Sequence, residues 1–381
     1  MHTKSAYKIA FVANTAWNLW NFRRWLIEML ENEGFEIVCL APEDGLQEKL
    51  RGIKNLHFLP LKHLSRKSLS PFSNLQTLAE LTRLLRRQRP DLAIFYTIKP
   101  NIFGCLAAHM AGIPAIATVE GLGYAANAPP FFKKIIFNLY HLAFLFAQKV
   151  VFLNSDDEAE FLARHVVPAA KTLVVKGTGV DTTHFSPEEN AAAEPVFLFI
   201  GRLLSDKGIR EFVQAAKGVK EVFPQARFQI LGSPDAGNPA SIEHAELSHW
   251  IENQSVEYLG QTDDVRPHIA RASVIVLPSY REGMPRVLLE GMAMGKPIIT
   301  TNSVGCRDTV EEGRNGFIVP SENAEALTDA MLRFLKLPPA QQLAMGHYSR
   351  QKAATEFSNE VVLPQYLQLI RETLHLSSKT R

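Results

Sequence analysis

Val196-Phe-Leu-Phe-Ile-Gly201-Arg202-Leu-Leu-Ser-Asp-Lys207-Gly208 combines an apolar run, two glycines and two cations. Its first five residues are apolar without a polar alternation, which reads as a strand covered on both faces. Gly201 ends that run, Gly208 closes a short loop, and a helical segment follows. A doubly covered strand, a glycine loop and a helix make one repeating unit of a parallel, doubly wound α/β sheet.

The unit recurs in both directions. Downstream, strand signals fall at Ala226–Gly232, Ser255–Gly260, Ser273–Pro278, Pro297–Thr301 and Gly316–Pro320. Upstream they fall at Lys8–Ala13, Glu36–Ala41, Asp91–Thr97, Pro114–Val119 and Lys149–Asn154, with helical spacing over Asn21–Glu33, Asn74–Arg89 and Asn101–Ala111. Between the two series, Gly177–Pro195 has linker composition: Gly177, Gly179, Pro187, Pro195 and the run Glu188 to Glu194. The expected architecture is two Rossmann-like domains, 1–180 and 181–360, with helices from about 360–381 packing back on the first.

Composition removes several classes of function. The chain has 381 residues, 46% of them hydrophobic and 21% charged, with a formal net charge of +2. That content argues against disorder, and the charge balance against a dedicated nucleic-acid binder. Cys39, Cys105 and Cys306 stand far apart with no CxxC pair, so a disulfide framework or zinc site is not expected, and a reducing compartment is the simplest reading. Ile9–Ala13 is too short for a signal-peptide core, and the uncharged stretch Ile135–Gln148 falls short of the roughly 20 residues of a membrane span. A soluble chain, or one attached to a membrane only at its surface, is expected.

The strongest chemical signal is Ser279-Tyr-Arg-Glu282-Gly-Met-Pro285-Arg-Val-Leu-Leu-Glu290. Pro285 suits a first helical turn, which puts Glu282 in the loop ahead of the helix and Glu290 inside it. Backbone N–H groups and the positive dipole end between them suit a diphosphate, and the two carboxylates could accept from hydroxyls on either side. Taken alone, an ordinary loop acid and a solvated helix acid fit equally well. Arg202 and Lys207 add two cations at the carboxyl edge of a strand, where open α/β sheets bind ligands, although exposed basic side chains are common anywhere. Neither DxD nor HExxH occurs, so no metal is expected. Ala13-Asn14-Thr15-Ala-Trp-Asn18, after the first strand, lacks the dinucleotide glycines, and no Walker sequence occurs.

These residues resemble a family, the retaining family-4 glycosyltransferases of GT-B architecture. The resemblance rests on Gly201-Arg202-x4-Lys207-Gly208, Glu282-x7-Glu290, Leu277–Gly283, Gly295–Thr301, Gly313-x-Asn-Gly316-Phe and Gly179–Pro187. Ile98–Ala108 and Val119–Gly123 are similar to bacterial N-acetylgalactosaminyltransferases that extend an undecaprenyl-diphosphate-linked sugar in protein glycosylation. The resemblance implies two Rossmann-like domains facing an interdomain cleft, a UDP-sugar donor, a polyprenyl-diphosphate-linked acceptor, retention of configuration, and no metal or other cofactor. It implies that Arg202 and Lys207 neutralise the departing diphosphate, Glu282 contacts donor-sugar hydroxyls, and Glu290 accepts from the ribose. Gly201 and the stretch Gly283, Met284, Pro285, Arg286 and Val287 would border phosphate or sugar. Asn14, Thr15 and Asn18 would face the cleft, although relatives carry a Gly-Gly pair there. Glu120 stands where many relatives have histidine; it touches acceptor or donor, or it is a buried glutamate paired with a neighbouring amide. The implied location is cytoplasmic, peripheral on the inner face of the cell membrane. Phe131-Phe-Lys-Lys-Ile-Ile-Phe137 with Arg83, Arg86, Arg87 and Arg89 is the candidate membrane face, core packing and a solvated face being the alternative.

Overall fold

The structure is a computed structural model that describes residues 7–65, 70–123, 129–188 and 194–378. Linker residues 189–193 and the last three residues lie outside the described set. The chain divides into two compact units, residues 1–178 with 362–381, and residues 179–361.

The first unit holds a seven-stranded parallel sheet: β1 (Lys8–Val12), β2 (Glu36–Ala41), β3 (Leu56–Pro60), β4 (Leu92–Tyr96), β5 (Ala115–Val119), β6 (Lys149–Phe152) and β7 (Thr172–Val174). The order is β3-β2-β1-β4-β5-β6-β7. Two cores cover its faces. Phe95, Phe144, Phe152 and Phe161 anchor one; Phe11, Tyr96, Ile94 and Leu26 anchor the other. The second face is completed from the C-terminus by Val362, Tyr366, Leu369 and Ile370.

The second unit holds a six-stranded parallel sheet: β8 (Val196–Ile200), β9 (Arg227–Leu231), β10 (Glu257–Tyr258), β11 (Val274–Leu277), β12 (Ile298–Thr301) and β13 (Gly316–Val319), in the order β10-β9-β8-β11-β12-β13. Every residue of β8 and β11 is buried, as a strand between two helical layers requires. Two family stretches turn out to build turns. Asp181 Oδ1 accepts the N–H groups of Thr183 and His184 at 2.9 and 2.8 Å. Buried Asn315 accepts from Glu311 N–H at 2.7 Å and donates to Thr309 C=O at 3.0 Å.

In both sheets the order reverses beside the first strand, between β1 and β4 and between β8 and β11. At such a reversal the following loops leave in opposite directions and open a crevice at the carboxyl ends, where ligands of open α/β sheets sit. Among the described residues no helix is long and apolar enough to cross a membrane.

Candidate active site

In the second unit the loops after β8 and β11 meet because of Gly208. Its φ is +70°, and a Cβ there would stand 2.0 Å from the Pro278 carbonyl oxygen. The Asp206 carbonyl accepts from Tyr280 N–H at 2.9 Å and from Ser279 Oγ at 3.1 Å. The loop after β12 supports the same segment. Glu282 N–H donates to Val304 C=O at 3.0 Å, Ser303 Oγ donates to Ser279 C=O at 2.9 Å, and Gly305 (φ +76°) lies against the Glu282 and Gly283 carbonyls.

This scaffold brings Lys207 and Glu282 together as an ion pair between two mostly buried side chains. The helix that follows runs from Arg286 to Ala293, so Pro285 lies one residue ahead of it rather than in its first turn. Gly283 is buried, and Met284 and Val287 pack on the core. Glu290 Oε1 accepts from Arg286 Nε at 2.7 Å. Burial raises the Glu290 carboxyl above its ordinary range, and Arg286 opposes that rise without cancelling it. The two glutamates therefore each carry a cation of their own. Arg202 follows Gly201 at the end of β8, is half exposed, and pairs with Asp235 at 2.9 Å in the loop after β9. Cys306 is buried beside this cluster, and burial pushes its thiol up to about 11, so it carries no thiolate nucleophile at neutral pH. Among the described residues no three His, Cys, Asp or Glu side chains gather into a metal-holding cluster.

In the first unit the loop after β1 has a different task for each polar residue. Asn14 is half buried in the turn. Thr15 Oγ1 accepts Asn18 N–H at 3.0 Å and so caps the short helix Ala16–Asn18. Asn18 is buried and donates from Nδ2 to Glu120 Oε2 at 3.2 Å. The neighbouring-amide alternative for Glu120 is therefore present, and it is only half of the arrangement: Glu120 Oε1 pairs with Arg23, whose side chain is 1% exposed. The Arg23 guanidinium lies 4.0 Å from the centroid of Tyr96, the last residue of β4.

Sequence reasoning missed Arg23, Tyr96 and Thr97. Thr97, just after β4, has φ +70°, an unusual conformation for a β-branched residue and one that gathers at functional sites. Asn18 Oδ1, Tyr96 Oη, Thr97 Oγ1 and Thr118 Oγ1 are buried with no hydrogen-bond partner among the described residues. All four belong to the carboxyl ends of β1, β4 and β5 or the loops beyond them. The arginine inside Leu19-Trp-Asn-Phe-Arg23 was the one signal available in the sequence.

Comparison with known proteins agrees with the geometry. A family model described as "Glycosyl transferase 4-like" matches residues 8–154, and one described as "Glycosyl transferases group 1" matches residues 194–337. The chain is 30% identical to the N,N'-diacetylbacillosaminyl-diphospho-undecaprenol alpha-1,3-N-acetylgalactosaminyltransferase of Campylobacter jejuni, over 95% of this chain and 98% of that one. It is 28% identical to the UDP-Gal:alpha-D-GlcNAc-diphosphoundecaprenol alpha-1,3-galactosyltransferase of Escherichia coli, over 80% of this chain and 81% of that one. Sucrose-phosphate synthase from Thermosynechococcus elongatus superposes with a TM-score of 0.82 at 21% identity, covering 97% of this chain and all of that one, a likeness of fold. Two Rossmann-like units, two matching family models and a full-length relative place this chain in the family-4 glycosyltransferases of GT-B fold.

Proposed function

We propose that the chain is a retaining, metal-independent glycosyltransferase that moves a hexose or N-acetylhexosamine, with GalNAc the favoured donor sugar, from UDP onto an undecaprenyl-diphosphate-linked sugar in bacterial glycan or glycoprotein assembly. The observation that carries this reading is the Lys207–Glu282 pair held beside the start of the helix Arg286–Ala293, at the reversal between β8 and β11. Breaking the bond between the anomeric carbon and UDP builds negative charge on the diphosphate and positive charge on the sugar. A pre-placed ammonium and helix N–H groups favour that state over the ground state, which is the origin of catalysis. Arg202 joins them by exchanging Asp235 for phosphate, Glu282 turns from Lys207 to sugar hydroxyls, and Glu290 accepts from the ribose. Glu120 meets the acceptor hydroxyl that attacks from the face UDP leaves. The name of the E. coli relative favours UDP-galactose as the second donor to consider. Release of UDP from UDP-GalNAc, UDP-Gal, UDP-Glc and UDP-GlcNAc with a polyprenyl-diphosphate-linked sugar tests the reading. Transfer from one of them is expected; binding without turnover of any would make the chain a nucleotide-sugar binding module.

Glu290→Gln separates binding from stability. The raised Glu290 carboxyl holds its proton more tightly when folded, so that contribution to stability is complete below the ordinary range near pH 4 and lost as pH rises through the raised value. At neutral pH the variant is expected to melt above the wild type, with the gap closing below about pH 4, while losing about 10-fold to 100-fold in UDP affinity. Thermal melts across pH and UDP titration check both halves.

A lipid-linked acceptor calls for a membrane surface, on a cytoplasmic, peripheral protein. On the helix Pro130–Phe144, Phe131, Phe132 and Ile135 are exposed beside Lys134, while Phe137, Tyr140 and Phe144 are core. On the helix Pro71–Gln88, Phe72 and Leu75 are exposed at the start and Arg83, Arg86 and Arg87 towards the end. Exposed aromatic rings with basic neighbours suit an anionic interface. Replacing Phe131 and Phe132 with serine is expected to weaken partitioning onto anionic vesicles at least about tenfold. Unchanged sedimentation with vesicles would remove the membrane claim.

A further inference from the structure

We infer that Arg23 is the positioning residue of the acceptor site: its buried, forked guanidinium fixes the Glu120 carboxylate in the orientation that receives the acceptor hydroxyl. The inference rests on the reading of Glu120 given above and adds a residue to which no role has been attached.

The geometry is built for one orientation. Arg23 ends a wide five-residue helical turn, Leu19–Arg23, between the helices Ala16–Asn18 and Arg24–Asn32. Such π-turns inside helices concentrate at functional sites, and this one carries Arg23 inward while Arg24 lies over the Trp25 ring, 3.8 Å from its centroid. The Arg23 guanidinium packs on Tyr96, and Tyr366, from the helix Asn359–Ser378, faces it as well. Burial works against the Arg23 charge, and the Glu120 carboxylate is the first of the groups that oppose it, with the Tyr96 ring face beneath the cation. Glu120 is then gripped at both oxygens, by Arg23 at Oε1 and by Asn18 at Oε2, yet keeps 16% of its side chain exposed. Glu120 directly follows β5, at the carboxyl edge where ligands of such sheets sit. A carboxylate that meets a substrate hydroxyl there needs rigid support from behind. Lysine could supply the charge but not a planar fork that stacks on Tyr96 while reaching Glu120.

The test is a double-mutant cycle on the full chain, with Arg23→Met, Glu120→Gln and both together. Turnover is measured with the donor that supports transfer and a polyprenyl-diphosphate-linked sugar, expressed per UDP-binding site so that misfolded protein drops out. Arg23→Met is expected to lower kcat about 100-fold, to leave UDP affinity within about twofold, and to add nothing in the Glu120→Gln background. Arg23→Lys is expected to lose about tenfold, again only when Glu120 is present. Should Arg23→Met fail to fold with Glu120 left uncompensated, the cycle is run with Arg23→Lys under the same rule. Wild-type kcat in the single Arg23 variants, or losses that multiply in the double variant, overturns the proposal. Lys207→Ala, in the other unit, is the separate control. Full turnover there would sink the diphosphate reading, while the Arg23–Glu120 cycle is still read on whatever sugar is transferred.

Discussion

Replacing Lys207 with alanine is expected to lower kcat by about 100-fold to 1,000-fold while UDP still binds measurably. The figure is that for removing one pre-organised donor from the negative charge that develops in a transition state. UDP binding survives because Glu290, Arg202 and the helix N–H groups remain. The change also strips Glu282 of its ion pair, so some loss of stability accompanies it. Lys207→Ala combined with Glu282→Gln separates the two effects. The double variant is expected to recover stability and not turnover, and thermal melts with steady-state kinetics on all three proteins check this. Near-normal kcat in Lys207→Ala would mean that the ammonium does not meet the departing charge.

The second large effect is expected at a residue with no chemistry of its own. Gly208→Ala places a methyl group 2.0 Å from the Pro278 carbonyl oxygen, at φ +70°. The left-handed conformation costs an alanine about 1–2 kcal/mol. The clash is with backbone, which no rotamer change relieves, so the loops after β8 and β11 must part. A total near 3 kcal/mol lowers the melting temperature by about 6–12 °C for a unit of this size. Because Lys207 is the adjacent residue, a shift of about 1 Å is expected to cost kcat some 100-fold as well. Loss of stability with normal turnover in the folded fraction would show that Lys207 is not held in place by this contact.

Most of the fold was legible because the strands of doubly wound sheets announce themselves. Central strands such as Phe197–Ile200 and Val274–Leu277 are covered on both faces and must be continuously apolar. The strands that escaped, β3 and β7, lie at the sheet edges. Leu-His-Phe-Leu-Pro in β3 mixes exposed and buried positions and ends in proline, and Thr-Leu-Val in β7 is three half-buried residues, so neither gives a run to read. The helix expected over Asn21–Glu33 runs over Arg24–Asn32, preceded by the Thr15-capped short helix Ala16–Asn18 and the wide turn Leu19–Arg23, which break the regular spacing.

The candidate site was legible by type and not by pairing. Pro285, read as a helix-start residue, put Glu282 ahead of a helix and Glu290 within it. That Lys207 meets Glu282 across 75 residues and that Asp235 holds Arg202 depend on which loops the sheet order brings together, whereas Arg286 meets Glu290 one turn along the same helix. The same holds for Arg23 and Glu120, 97 residues apart. A sequence displays the charges; the strand order selects the partners that lie on different loops.

A crystal structure of the protein with UDP bound in the presence of a chelator tests whether Lys207 and the helix start hold the diphosphate without a metal. Diphosphate oxygens are expected within hydrogen-bond reach of Lys207 Nζ and of N–H groups opening the helix Arg286–Ala293, with the Lys207–Glu282 pair broken and the ribose on Glu290. A diphosphate bound away from Lys207, or UDP that binds only when a divalent cation is restored, would contradict that expectation.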